Sequence, residues 1–338
     1  MVRYKKNEAR EWARENMHGL ANVVLPSYTT DLKRLNEKGI RHDIRRDIEL
    51  GFWGTLLVSE MAITLEEYRD FIRWSHEEAA GRLTLIHHAL FNTLEENIEA
   101  VQMAEKEGCE LVLLGYPSNF YATTSQEIYD YTRKFCEATR LGVIIFPVPH
   151  WGFERIHPAG MDPELVKQMV ADIPNIVCIK AESGMPAPGG FVQAWKNHSH
   201  EVVVTCPIEA DALPFAALVP IQFMGTSNYE FYGDMIPKMF KLVRDGRFDE
   251  MMKLYWQIHP ARTVYRSVAM TYQGAGVLHR MVWKYQAWLQ GFNGGPLRQP
   301  TMKIRDVHMR QLREALKRSG LKPTEDPDKE FFVGRNPA

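Results

Sequence analysis

A chain of 338 residues with 45% hydrophobic content is too apolar for a disordered polymer and long enough for one large domain, alone or with an appendage. Its 41 Lys and Arg stand against 42 Asp and Glu, a formal net charge of -1. The two signs are scattered without a basic stripe, so neither nucleic acid nor membrane is an expected partner and the ligand should be a small molecule.

The opening MVRYKKNEAREWARENMHG is charged and helix-like and lacks the apolar centre of a signal peptide. Beyond it, short apolar runs of strand length fall at residues 22–25, 54–58, 84–88, 111–114, 143–146, 176–179, 202–205 and 221–224. Between them, residues 65–80, 94–106, 125–139 and 163–171 place apolar side chains at three- and four-residue spacing, the period of a helix. Repeated βα units whose strands read as continuous apolar runs predict an α/β fold, a closed parallel (β/α)8 TIM barrel, with an open doubly wound sheet as the competing form.

After about residue 232 the alternation stops, and residues 234–245, 248–258, 263–273 and 309–319 all read as helices. The expected organisation is a barrel with a helical lead-in over 1–232, then a helical C-terminal extension over 233–338 packed on it. The Met and Trp content there, including Met251, Met252, Trp256, Trp283 and Trp288, is read as packing and not as a cofactor box. Cys109, Cys136, Cys178 and Cys206 form no CxxC pair, so no zinc knuckle or disulfide framework is expected. No run of about 18 apolar residues occurs, and a cytoplasmic protein is expected.

The strongest chemical signal is the segment Pro174-Asn175-Ile176-Val177-Cys178-Ile179-Lys180-Ala181-Glu182-Ser183-Gly184. A cation closes an otherwise apolar strand just before a loop, on what is the catalytic face of a barrel. Desolvation there disfavours the ammonium form and leaves an amine that can attack a carbonyl. The iminium that results is an electron sink, through which C–C cleavage, C–C formation or loss of water can proceed without a metal. The competing reading is a strand-end lysine that reaches solvent or pairs with Glu182.

The stretch IPNIVCIKAESG resembles the Schiff-base strand of the dihydrodipicolinate synthase and N-acetylneuraminate lyase family, which runs through an apolar strand, G-I-K, a small or acidic residue, Ser or Thr, and Gly. Further likeness runs through Pro26 and the polar loop 27–31, SEMAITLEEYRDF, HHALFNTLEENIEAVQMAEKEGCELVLLGYP with Asn92 and Thr93, TCPIEADALPFAAL, and GTSNYEFYGDMIPKMFKLVRDGRFDEMMKLYWQIHPAR. The resemblance implies a TIM barrel with a helical C-terminal region, Lys180 as the imine-forming residue, and a homo-oligomer, dimer or tetramer.

Two departures stand out. Relatives carry G-T-T-G-E, whose hydroxyls and amides hold a keto-acid carboxylate, whereas this chain has Leu57-Val58-Ser59-Glu60 and keeps only the Ser59 hydroxyl. The family's catalytic tyrosine becomes Phe146, and a phenyl ring relays no proton. Tyr116, Tyr121 and His150 are the replacements that the order of the chain suggests. Together with Phe146, Trp151 and Phe153 of the loop 150–158 are expected to line a pocket for a larger or aromatic substrate, or else to anchor the loop or an oligomer contact. Glu60, Glu182 and Glu209 are candidate acceptors for substrate hydroxyls.

Two other functions compete. A metal-dependent barrel hydrolase would use His87, His88, His150 and His157, but adjacent strand residues face opposite ways and no HxH or HExxH spacing occurs. A non-catalytic paralogue that binds a metabolite would fit the altered motifs, but not the retained lysine. The expected enzyme is therefore an aldolase, hydratase-aldolase or dehydratase acting on a 2-oxo acid, pyruvate or a derivative, with an aldehyde as any second substrate. No metal, flavin or nucleotide cofactor is expected.

Overall fold

The computed structural model describes residues 2–182, 187–273, 279–301 and 303–338. Ser183 and Gly184, which close the lysine motif, lie outside the described residues.

The elements follow one another as α1 (Ala9–Asn16), β1 (Gly19–Val24), α2 (Glu37–Glu49), β2 (Gly54–Leu57), α3 (Leu65–Ala79), β3 (Thr84–Ala89), α4 (Leu94–Glu107), β4 (Leu111–Leu114), α5 (Ser125–Glu137), β5 (Gly142–Ile145), α6 (Pro163–Asp172), β6 (Ile176–Lys180), α7 (Ala187–His198), β7 (Val203–Thr205), α8 (Glu209–Phe215) and β8 (Phe223–Gly225). Helices α9 (Met235–Arg244), α10 (Phe248–Gln257), α11 (His259–Gln273), α12 (Arg280–Leu289), α13 (Asp306–Arg318) and α14 (Asp328–Phe331) complete the chain.

Local chemistry explains many of these boundaries. Thr64, Thr93 and Thr124 each accept the N–H three residues on, opening α3, α4 and α5, and Glu67 and Glu127 complete capping boxes at α3 and α5. Asp162 caps α6, with Pro163 in its first turn. Gly108, at φ 108, ends α4 in the left-handed region that a side chain resists. Strand β5 stops at Ile145 because Phe146 precedes Pro147, which has no N–H to continue a ladder.

The chain divides into two compact units. The first holds the described residues of Met1–Ala21, Trp53–Ser59 and Thr84–Ser227. It holds β2 to β8 and the Gly19–Ala21 part of β1, and the eight strands form one sheet in the order β7-β6-β5-β4-β3-β2-β1-β8, with neighbours parallel. At the two ends of that order, the Gly225 N–H of β8 donates to Thr205 Oγ1 of β7 at 3.3 Å, so the sheet curls round on itself into the (β/α)8 barrel. Gly225 is required where β8 meets β1, since a Cβ there would stand 2.8 Å from that of Ala21. All residues of β2 through β8 are buried, which is why they read as unbroken apolar runs.

The second unit holds Asn22–Phe52, Glu60–Leu83 and the described residues of Asn228–Ala338, and here the C-terminal helices expected from sequence are found. Several boundaries differ from expectation. Strand β1 begins at Gly19, three residues early, because Gly19, Leu20 and Ala21 pair with Phe223, Met224 and Gly225. Helix α11 begins at His259 and takes Pro260 into its first turn. Helix α12 was not expected at all: nearly every residue from Met281 to Leu289 is buried, so it carries no polar stripe to reveal a period. No described helix is long and apolar enough to cross a membrane, and the four cysteines are free and buried.

Candidate active site

Lys180 is the last residue of β6 and pairs in register with Thr205 of β7. Side chains alternate along a strand, so Ile179 and Ala181 point one way and Lys180 the other. Ile179 and Ala181 line an apolar cavity of about 240 Å³ with Met161, Val166 and Ala194 of the α6 and α7 region, which is the helix side of the sheet. Lys180 therefore faces inward, and at 6% exposure it does not reach solvent.

Three groups converge on its amine. Nζ lies 3.4 Å from Thr226 Oγ1, 3.6 Å from Glu182 Oε1 and 3.8 Å from the centre of the Phe146 ring. The carboxylate and the ring face both favour the cation, and the hydroxyl offers a lone pair. The lysine thus combines burial with the Glu182 pair, the two outcomes that its sequence leaves open.

Phe146 is held in turn by Trp151, whose Nε1–H donates to the Phe146 carbonyl at 2.6 Å and whose ring meets the Phe146 ring edge-on at 5.9 Å. Trp151 also meets Tyr116 edge-on at 5.7 Å, and Phe153 stands 5.2 Å from Tyr116. Gly115 leaves room for this packing, since a Cβ there would sit 3.2 Å from the indole and 2.8 Å from Leu90. The Tyr116 hydroxyl is used locally: it lies 2.6 Å from Thr132 Oγ1, whose own proton goes to the Ile128 carbonyl at 2.7 Å. Burial pushes its phenol well above the usual range.

Ser59 follows β2 and is buried, with both its N–H and its hydroxyl 3.4 Å from Nδ1 of His88 on β3. Glu209 opens α8 and is buried. Tyr121 and His150 sit differently. Tyr121 is 73% exposed, with the Arg155 guanidinium 3.7 Å over its ring, and His150 is exposed in the 3-10 turn Pro149–Trp151. Glu60 belongs to the second unit, where Arg280 donates to its two oxygens at 2.5 and 3.0 Å. The structure thus sets Phe146 beside Lys180 with Trp151 behind it and joins Ser59 to His88, while Tyr121 meets Arg155, Glu60 meets Arg280 and His150 is exposed.

Thr226 and the role of His88 were not anticipated. Thr226 stands one residue past the end of β8, and only closure of the sheet brings it to a lysine 46 residues earlier. Of the histidines proposed as metal ligands, His87 is fully buried and desolvation pushes it down to about 3. Among the described residues, His, Cys, Asp and Glu form no group of three able to hold a metal ion.

An eight-stranded parallel barrel with a buried lysine closing β6 is the frame of a class I lyase, an enzyme that works through a lysine imine. The chain belongs to the dihydrodipicolinate synthetase family, whose model matches residues 17–319. It is 23% identical over 314 residues to a 4-hydroxy-tetrahydrodipicolinate synthase of Methanopyrus kandleri, covering 91% of this chain and 98% of that one. It is also 23% identical over 306 residues to an N-acetylneuraminate lyase of Rhizobium meliloti, covering 89% and 94%. The crystal structure of dihydrodipicolinate synthase from Aquifex aeolicus superposes with a TM-score of 0.76 at 16% identity, over 91% of this chain and 100% of that one. Within that family the chain is an enzyme, a lysine Schiff-base lyase of the aldolase type.

Proposed function

We propose that this enzyme cleaves, condenses or dehydrates a 2-oxo acid, pyruvate or a derivative of it, through an imine on Lys180, with an aromatic or otherwise bulky aldehyde as its partner substrate. The observation that carries this reading is the amine of buried Lys180 beneath the Phe146 ring at 3.8 Å, a ring that the Trp151 indole meets edge-on. A nucleophile bordered by an aromatic face, with a second ring behind it, suits a substrate that presents a flat apolar group. Ser59, with its N–H and hydroxyl beside His88, is the donor set for the acid's carboxylate in place of the missing threonines. Glu209 is a candidate acceptor for a substrate hydroxyl. Glu60 enters as the residue that holds Arg280, and Tyr121 and His150 as loop residues beyond β4 and β5. We assign catalysis to the barrel over 1–232, assembly to the helices over 233–338, and a dimer or tetramer to the protein in solution. Exposed Trp256 and Met270 on α10 and α11 support a role for these helices in assembly.

Borohydride trapping tests this reading. The wild type and Lys180→Ala are incubated with pyruvate and with a panel of aryl-substituted 2-oxo acids, reduced, and weighed intact. An adduct on the wild type that maps to Lys180 and is lost in the variant is expected, with aryl-substituted acids captured at lower concentration than pyruvate. Capture of pyruvate alone would remove the aromatic partner, and no adduct with any carbonyl would remove the imine.

A further inference from the structure

The imine cycle must move protons, and Phe146, the ring nearest the amine, has none to give. We propose that Glu182 and Thr226 form the proton-transfer pair of Lys180, with Glu182 as the acid–base and Thr226 as the relay to the substrate oxygen. This rests on the imine reading and adds to it the residues that make the imine.

The placement of Glu182 follows from the strand. Two residues beyond Lys180, the alternation of side chains returns it to the lysine's face, and its N–H, donating to the Pro147 carbonyl at 3.1 Å, pins it there. Its Oε1 is 3.6 Å from Nζ, and its side chain keeps 19% of its exposure where that of Lys180 keeps 7%. The carboxylate therefore keeps more contact with solvent than the lysine side chain does.

Thr226 is complementary. It is 2% exposed, and its Oγ1 lies 3.4 Å from Nζ. A hydroxyl both donates and accepts, so it passes a proton without carrying charge. Among the described residues, the groups that sequence suggested for proton transfer or as ligands have other partners: Tyr116 with Thr132, Tyr121 with Arg155 and His88 with Ser59.

The steps balance. The Lys180 ammonium gives a proton to the Glu182 carboxylate, and the free amine attacks the carbonyl carbon, forming the C–N bond while the C=O π pair moves to oxygen. Thr226 takes the extra proton from nitrogen as it gives its own to that oxygen, which yields a neutral carbinolamine. Glu182 then returns its proton to the hydroxyl, the C–O bond breaks with its pair to release water, and the nitrogen lone pair closes the iminium. The carboxylate is left ionised, as it began.

Quenching with borohydride at timed intervals, with pyruvate as the probe, reads the rate of imine formation directly. Glu182→Gln is expected to slow it on the order of a hundredfold and to remove the acidic limb of its pH profile. Thr226→Val is expected to slow it about tenfold or more, and Thr226→Ser to restore it, because only the hydroxyl matters to a relay. Glu182→Ala is expected to regain speed with added formate, a recovery that misfolded protein would not show. Imine formation at the wild-type rate in Glu182→Gln, or Thr226→Ser as slow as Thr226→Val, would overturn the pair while leaving the imine intact. A wild type that traps no pyruvate or other 2-oxo acid would overturn both.

Discussion

Two lysines are buried among the described residues, and they sit in opposite chemical settings. Lys180, in the first unit, ends a strand, and its amine meets a hydroxyl, a carboxylate and a ring at 3.4 to 3.8 Å. Lys284, in the second unit, lies within α12 and donates to the Pro26 carbonyl at 2.7 Å. Burial pushes its ammonium down to about 8 against the pull of Asp43. Asp43, buried as well, accepts from the Asn293 N–H at 2.6 Å, and loss of water pushes its carboxyl up to about 6. Burial alone therefore does not make a lysine a nucleophile. A 2.7 Å bond to the main chain commits the Lys284 amine to the second unit, whereas the Lys180 amine stands beside side chains that can exchange protons with it.

The largest expected effect is the loss of the nucleophile. Lys180→Ala should lower turnover on the order of a thousandfold or more with little change in the unfolding midpoint, whereas Lys284→Met should keep the trapped adduct on Lys180. The same Lys284→Met change should cost about 1–3 kcal/mol in denaturant unfolding, since it leaves the buried Pro26 carbonyl without its donor. Equal stability losses in the two variants would erase the contrast between the lysines.

The pH dependence sharpens it. Because the folded carboxyl of Asp43 is raised to about 6 from its ordinary 3.8, the folded state holds a proton there that the unfolded state has released. Its contribution to stability is full below the unfolded value and fades as pH rises through the folded one. Lys284, lowered from 10.5 to about 8, acts in the opposite sense, so its contribution grows as pH rises through that window. Asp43→Asn should therefore gain on the wild type between about pH 4 and 7. Urea titrations in which the two keep a constant gap over that range would show that the Asp43 proton is not linked to folding.

A smaller effect tests the aromatic wall. Trp151→Phe removes the 2.6 Å bond to the Phe146 carbonyl, and the loss of one such bond, about 1 kcal/mol, should raise KM for an aryl-substituted acid several-fold while barely changing it for pyruvate. An equal rise for both would place Trp151 in general support of the loop.

Much of the barrel was legible because its strands are buried on both faces. The runs at 84–88 and 111–114 correspond to β3 and β4 almost residue for residue, and the caps at Thr64, Thr93 and Thr124 are local bonds that need no partner beyond their own helix. Helix α12 was hidden by the same property that made the strands visible, since burial on all sides erases its period. In the site, Lys180 stood out as a charge in an apolar run, and Phe146 with Trp151 as neighbours five residues apart. Thr226 could not be read from the chain, because a threonine after a strand is ordinary until another strand closes on it.

What the sequence determined by itself is everything set by near neighbours: the alternation of βα units, the helix starts, the side of β6 on which Lys180 and Glu182 emerge, and the absence of a phenol at position 146. Each depends on bonds or periods that span a few residues. What only the tertiary structure decided is which distant groups share space: Thr226 with Lys180, His88 with Ser59, and Asp43 with Lys284 in the second unit. These depend on closure of a sheet and on packing of helices far apart in the chain. The physical reason is that interatomic distances across a fold are fixed by how all the intervening elements pack, and no local pattern carries that sum.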